Sequence, residues 1–307
     1  MTPFSDTIVM EMLSDGRRLH LRNGPIDLII EVCGTAGEVG AAYQQARDIF
    51  STILTDLTDE LDIMRTPIGN QHAKPTGQIT KAMSQTASRL SGGSFATPMI
   101  CVAGAVADYV LHAMLQGRNL QRAYVNNGGD IALFLAPDQK FDVGICANPM
   151  TGVVASVAQI SSADGVGGIA TSGWRGRSHS LGIADAVTVL ASNAAMADAA
   201  ATLIANAIDL PGHSNITRAP AHDLSPDSDL RGRFVTTDVT KLSTFDANTA
   251  LDAGRILAQC MIDQSLILAA YGSLQGEFFV LDQKSINLKV SNVTYLDTLN
   301  QKVPAYA

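Results

Sequence analysis

Asp198 and Thr202 stand four residues apart in Asp198-Ala-Ala-Ala-Thr202, inside SNAAMADAAATLIANAI, a run that reads as an Ala-rich helix capped at Ser192 or Asn193. That spacing puts a carboxylate and a hydroxyl on one helix face. Hard oxygens so placed suit Mg²⁺ or Ca²⁺, with backbone carbonyls or water completing the shell. The same spacing also serves a helix whose Thr bonds back to a carbonyl while Asp198 meets solvent. A second pattern, Asn126-Asn127-Gly128-Gly129-Asp130, lies between two apolar runs. Paired glycines let the backbone approach a ligand closely, and the amides and carboxylate supply donors and an acceptor; Asn and Gly equally favour a plain hairpin turn.

A third pattern, Gly165-Val-Gly-Gly-Ile-Ala-Thr-Ser-Gly173, contains G-x-G-x-x-A, with Asp185 at the distance of a ribose-binding acid. A dinucleotide fingerprint needs a helix opening at those glycines, and Gly173, Trp174, Gly176 and Ser178 do not make one. What remains is a loop able to offer N–H groups and the Thr171 and Ser172 hydroxyls to a phosphate or carboxylate. Arg175, Arg177 and His179 follow, beside the only tryptophan, Trp174. They make a local positive patch with a flat apolar face, suited to stacking and anion contacts, or else a solvated loop whose arginines pair with carboxylates. His179 and Asp185 are the candidates for proton transfer. His72, His213 and His222 fit no metal-ligand spacing, and neither a G-x-S-x-G elbow nor a Walker A sequence is present.

These residues need elements to hold them. The chain opens with hairpin-like strands around Asp15-Gly16, then a long helix from about Ala36 to Met64 and another from Gln78 to Leu90, stopped by Gly92-Gly93. Pro98 opens the small-residue run AGAVADYVLHAML, which the composition places close against a sheet and ends near Gly117. RAYVNN, DIALFLA, FDVGICA and VVASVAQI read as short strands, and ADAVTVLA as a buried one. The Pro-rich stretch from Leu210 to Asp229 reads as an ordered loop, followed by the strand RFVTTDV, a helix from about Ala247 to Asp263, and a strand–turn–strand tail after Gly276. Strands and then helices, twice over, give an α+β fold of two similar halves with antiparallel-rich sheets.

Composition narrows the partners. With 307 residues, 46% of them hydrophobic and 16% charged, the chain can bury a large core. Its net charge of −8, from 21 basic against 29 acidic residues, argues against nucleic acid as the main ligand. No stretch is expected to span a membrane, the first residues lack the features of a secretory leader, and Cys33, Cys101, Cys146 and Cys260 read as small buried hydrophobes; together these point to a cytoplasmic protein. Self-association into a homo-oligomer stays open.

Taken in order, the pieces resemble the superfamily of the ApbE flavin transferases. AGAVAD resembles that family's small-residue helix ending in Asp, YVNNGGDIAL its strand and GGD turn, and GIATSG its TSG loop. ADAVTVLA with ADAAATLIANAI resembles its strand and metal-binding helix, with Asp198 and Thr202 on the metal positions. The resemblance is closer still to the UPF0280 branch, through DGRRLHLRNGPIDL, SGWRGRSHSLGIADAVTVLA, PDSDLRGRFVTTDV and AYGSLQGE. It extends to about Glu277 and leaves 278–307 uncovered. It implies a single ApbE-like domain over 1–307, two-lobed, with a ligand cleft between related halves. It further implies FAD as ligand, Mg²⁺ as the metal and transfer of FMN to a Ser or Thr. Asn127, Gly128, Gly129, Asp130, Thr171, Ser172, Arg175 and Arg177 would then contact a flavin nucleotide or another small anionic molecule. The chain departs from the transferases in having Gly104-Ala105-Val106 where they carry a Lys, and in lacking Pro and Thr-Gly after His179. Two other functions fit the same residues: a metal-assisted hydrolase of a small amide or cyclic metabolite with His179 as base, and a flavin- or nucleotide-binding protein without turnover.

Overall fold

The computed structural model describes residues 8–70, 73–148, 153–283 and 289–292. His72 and the side chain of Cys146 lie outside what is described. The chain divides into two compact units that exchange segments. The first draws on Met1–Gln139, Gly165–Ala170 and Ala191–Ala199, the second on Lys140–Asp164, Thr171–Leu190 and Ala200–Ala307.

The first unit begins with β1 (Val9–Met12), β2 (Leu19–Asn23) and β3 (Ile26–Cys33), each antiparallel to the next. Asp15 fixes the first turn by accepting from the N–H groups of Arg17 and Arg18 at 2.9 and 3.0 Å. Leu19 and Leu21 on β2 and Leu28 and Ile30 on β3 are fully buried on one face, as period-two alternation requires. Against that face lies α1 (Ala36–Thr58), which adds Phe50 and Ile53; α4 (Val102–Leu115) packs on α1, α3 (Gln78–Leu90) on α4, and α2 (Leu61–Met64) on α3. β4 (Arg122–Asn127) pairs β3, and β5 (Asp130–Leu135) pairs β4, both antiparallel.

The helix expected from Ala36 to Met64 breaks at Asp59–Glu60, and the reason lies in Glu60. Its carboxylate accepts from the Thr76 N–H and hydroxyl, both at 2.6 Å, from the Gly77 N–H at 3.1 Å and from the Thr80 hydroxyl. It thereby caps α3, whose own cap residue, Gly77, has no side chain to offer. Burial works against its charge, but the Thr76 and Thr80 hydroxyls and the backbone donors outweigh it and lower the carboxyl to about 2. A group lowered on folding stabilises above its unfolded value and loses that contribution as pH falls through the folded one. Glu60→Gln is therefore expected to cost about 1–2 kcal/mol at pH 7. The loss should shrink between about pH 4.5 and pH 2. Thermal midpoints of both proteins across that range check it.

The second unit opens with β6 (Lys140–Asn148) and β7 (Val153–Ser161), an antiparallel hairpin. The chain then supplies β8 (Gly168–Ser172), whose first residues pair β5 in the first unit's sheet. β9 (Ala186–Ala191) is buried along its whole length, as its unbroken apolar sequence predicts. α5 (Ala194–Ala207) begins in the first unit and runs on into the second. Pro211–Asp229 proves more structured than the loop its prolines suggest. It contains β10 (Ile216–Pro220) and a single helical turn, α6 (Ala221–Leu224). β10 pairs antiparallel with β11 (Phe234–Val239), so Pro220 falls at the strand's last position, where a missing N–H is tolerated. α7 (Thr244–Asp263) packs on β12 (Ala269–Leu274) and β13 (Glu277–Asp282), and β12 pairs both β9 and β13. β14 (Lys289–Asn292) pairs β7. All these pairings are antiparallel, and the α+β class expected from the sequence is what the chain adopts.

Two expectations need correction. Among the described residues, the 18-residue helical stretch Pro98–Leu115 is long and apolar enough by composition to cross a membrane, and half of it is buried inside the structure. Its one acidic residue, Asp108, interrupts the run in sequence without shortening the helix. Only Cys101 of the cysteines seen is fully buried. Cys33 is half-buried, and Cys260 lies exposed on α7, where Gln264 donates to its sulfur.

Candidate functional site

Asn127 and Asp130 face each other across a two-residue turn in which Gly128 and Gly129 take φ of 68° and 113°. Glycine reaches such values without the strain a Cβ would bring. The turn is thus a hairpin turn, yet its two asparagines are turned inward. Asn126 is buried and accepts the Gly129 N–H at 2.8 Å, fixing the loop. Asn127, also buried, donates through its amide to the Ala103 carbonyl at 3.1 Å, tying the turn to the first residues of α4.

The other side of the same peptide reaches the helix that carries Asp198. The Gly104 N–H donates to the Asp198 carboxylate at 3.0 Å. Gly104 permits this because a Cβ there would sit 2.4 Å from the Ala194 carbonyl oxygen, so only glycine allows α4 and the start of α5 to cross so closely. The NNGGD turn and Asp198, 68 or more positions apart in sequence, therefore converge on the Ala103–Gly104 peptide.

α5 is held from two sides. Asn193 caps it, accepting the Met196 N–H at 2.8 Å, which selects Asn193 over Ser192 as the capping residue. Asp108 on α4 adds a cap from outside the helix, accepting the Ala194 and Ala195 N–H groups at 2.9 and 2.8 Å. Burial raises the Asp108 carboxyl to about 6, against the pull of those two donors. Asp198 keeps a little solvent contact, yet its carboxylate is packed closely by protein. Desolvation pushes its pKa well above the usual carboxylate range, and repulsion from Asp130 and, more weakly, Asp108 pushes the same way; the Gly104 and Ala103 N–H groups oppose it. Two carboxylates are thus brought within mutual repulsion. Thr202, one turn beyond Asp198, is half-buried and its hydroxyl has no hydrogen-bond partner among the described residues. It does not bond back to the carbonyl of Asp198.

Among the described residues no three His, Cys, Asp or Glu side chains cluster closely enough to cage a cation. In the first unit Asp198 and Asp130 offer two carboxylates that repel one another, ligands of the hard-oxygen kind through which Mg²⁺ can be held together with water and ligand phosphates.

In the glycine loop the Gly167 amide is already taken up by the protein. The Gly167 N–H donates to the Ala191 carbonyl at 2.9 Å, and a Cβ on Gly167 or Gly168 would strike the backbone of Ser192 to Ala194. Those glycines let β8 pass close to the start of α5, and no helix opens at them, in keeping with the rejected dinucleotide reading. The rest of the sequence-derived set belongs to the second unit. Thr171 shares a hydrogen bond with Thr188 at 2.8 Å, whereas the Ser172 hydroxyl has no partner among the described residues. The Arg175 guanidinium lies 4.3 Å from the centre of the Trp174 ring and pairs with Asp185 at 2.9 Å. The other Asp185 oxygen accepts the Gln275 N–H at 2.6 Å, so both of its oxygens are engaged. The Trp174 indole N–H is buried without a partner among the described residues. His179 turns toward Ser225, and Arg177 is exposed.

Asp108 and the Ala103–Gly104 peptide hold this corner together, and residue-type reasoning passed over them. Their signal was the small-residue run AGAVAD, which announces close packing and does not say against what.

Comparison with known proteins follows the same lines. The profile of the family described as "AbpE bacteria" matches residues 10–280. A UPF0280 protein of Methanococcus vannielii is 38% identical over 132 residues, which cover 42% of this chain and 51% of that protein. One from Methanosphaerula palustris is 35% identical over 175 residues, 56% of this chain and 71% of that protein. The chain spans about half the length of several curated relatives it matches. The Pseudomonas stutzeri flavinyl transferase ApbE, in its apo form, aligns over 93% of this chain and 97% of its own, at 14% identity and a TM-score of 0.45. With its profile match running almost from end to end, the chain belongs to the AbpE bacteria family and to the UPF0280 group within it.

Proposed function

We propose that the protein binds a flavin nucleotide with Mg²⁺ and transfers FMN from FAD to a protein hydroxyl. The observation that carries this reading is the desolvated Asp198 carboxylate held against Asp130. Two desolvated carboxylates that repel one another lose stability unless a cation or proton joins them, and strongly perturbed carboxylates cluster at functional sites. The resemblance of the chain's motifs to those of the ApbE flavin transferases suggests the flavin.

Asp198, Asp130 and Thr202 would hold the metal ion, which supplies neutralisation of diphosphate oxygens and of the leaving AMP. Gly128 and Gly129 give the ligand access to bare backbone next to Asp130. The Gly104 N–H holds Asp198 in its charged orientation, and Asp108 holds the helix that carries it. In the second unit the Trp174–Arg175 pair offers a stacking face and a guanidinium for an anion, and the free Ser172 hydroxyl a further donor. Asp185 has no free oxygen, so His179 is the better placed of the two proton-transfer candidates.

FAD, Mg²⁺ and candidate acceptor proteins incubated with the purified chain should release AMP and leave covalent FMN on a Ser or Thr. Thr202→Val should lower the rate about 10- to 100-fold, the loss of roughly 1.5–3 kcal/mol expected of a hydrogen bond or ligand contact to a charged group. Arg175→Ala should weaken FAD binding by a similar amount. FAD bound but unchanged would make this a binding protein. Absence of both FAD binding and AMP release, with hydrolysis of small amides in its place, would overturn the flavin reading in favour of a metal-assisted hydrolase.

A further inference from the structure

The Pro-rich stretch before β11 does something its sequence does not announce. Ser225 Oγ lies 3.0 Å from Nε2 of His179, across 46 positions of chain, and both residues are half-buried. Three other serines of the same unit serve the backbone. Ser180 accepts the Gly182 N–H, Ser228 accepts the Leu230 N–H, and Ser243 caps α7. Ser225 holds no backbone group with its hydroxyl; its partner is the imidazole.

Both residues are fixed by their main chains. The Ser225 N–H donates to the Ala221 carbonyl and its own carbonyl accepts the Ser228 N–H, each at 2.9 Å, with Pro226 stiffening the step between. The residue after His179 is pinned by the Thr236 N–H, which donates to the Ser180 carbonyl at 2.9 Å. Two further features mark the region. Arg231, a non-glycine residue in the same loop, is held at a φ of 54°, clamped by the Ser228 carbonyl and the His222 N–H. Backbone strain of this kind persists only where surrounding structure enforces it, and it concentrates at functional sites. The Thr236 hydroxyl, 6% exposed, is buried without a partner among the described residues.

We propose that Ser225 and His179 form a nucleophile–base pair that acts on small carboxylic esters. Their separation is that of a hydroxyl activated by an adjacent imidazole. Ser225 Oγ forms a bond to the acyl carbon while its proton passes to His179 Nε2. The ester C–O bond breaks, and the alcohol leaves with that proton. Water then attacks the acyl-serine, giving its proton to the same nitrogen, and Ser225 recovers a proton as the carboxylic acid departs. The chemistry uses no metal and no flavin, so it is tested apart from FMN transfer, although both readings call on His179.

The full chain, without added metal or flavin, is treated with a fluorophosphonate probe and followed by intact mass and peptide mapping. A single adduct on Ser225 is expected, with a P–O bond formed and fluoride lost, together with turnover of p-nitrophenyl acetate. Ser225→Ala should abolish the adduct, and His179→Gln should slow it about 100-fold or more. Circular dichroism establishes folding of each variant. Should Ser225→Ala fail to fold, Ser225→Cys replaces it, and alkylation of Cys at that position should be slower in the His179→Gln background. Labelling elsewhere than Ser225, or equal rates with and without His179 in folded protein, overturns the proposal.

Discussion

Asp108→Ala should destabilise the protein by about 2–5 kcal/mol, because it strips the partner from two buried N–H groups at the start of α5. The negative charge facing that helix terminus is lost with it. The loss should depend on pH in a particular direction. Asp108 is raised on folding to about 6, so its favourable linkage is complete below its unfolded value of about 3.8 and disappears as pH climbs through 6. That window corresponds to about 3 kcal/mol. Wild type and variant should therefore differ more at pH 5 than at pH 8. Denaturant unfolding of both at the two pH values decides it. Equal stabilities, or a gap that widens toward pH 8, would mean that Asp108 does not hold α5.

Asp198→Asn should do the opposite to stability while removing a function. Asn keeps an oxygen for the Gly104 N–H but no longer places a desolvated charge beside Asp130. Toward alkaline pH, as Asp198 ionises, the metal-free variant should become more stable than wild type, by about 1–4 kcal/mol, as replacements of poorly compensated buried charges often are. Because the Asp198 carboxyl is raised on folding, wild type recovers that stability as pH falls and Asp198 takes up a proton, and the two proteins should converge in acid. Mg²⁺ should raise the midpoint of wild type and leave the variant unmoved. A variant that stays less stable than wild type at alkaline pH, or that binds Mg²⁺ with wild-type affinity by calorimetry, would falsify the metal corner.

Much of the fold was legible because its signals are local. Gly92-Gly93 and Gly117 end α3 and α4 as read, the Asn-Gly turn joins β4 to β5, and the apolar run of β9 is buried throughout. The break at Glu60 was not legible, since what bends the chain there is a carboxylate reaching Thr76 and Thr80, 16 and 20 positions away. β10 was hidden by Pro220 at its end and by the prolines that flank it, because pairing with β11 overrides local propensity. At the site, the types of Asp198, Thr202 and Asp130 pointed to hard-ion chemistry. Burial and mutual repulsion, which give those residues their character, arise only when α4, α5 and the GGD turn meet. The same holds for Ser225, an unremarkable loop serine until His179 is set beside it.

The cap that Asp108 places on α5 also sets an order of events during synthesis. α4 is complete when residue 115 has been made, yet the N–H groups that Asp108 serves lie 86 and 87 positions beyond it. At ribosomal rates of about 5–20 residues per second, that acid waits roughly 4–17 s for its partner. Throughout that interval the emerging chain displays Pro98–Leu115, a segment greasy enough to be taken up by the translocation machinery or by a holdase chaperone. The carboxylate in its middle raises the cost of the first route. The residue that later braces α5 is thus, until α5 has been made, the one acidic group that sets Pro98–Leu115 apart from an uninterrupted apolar helix.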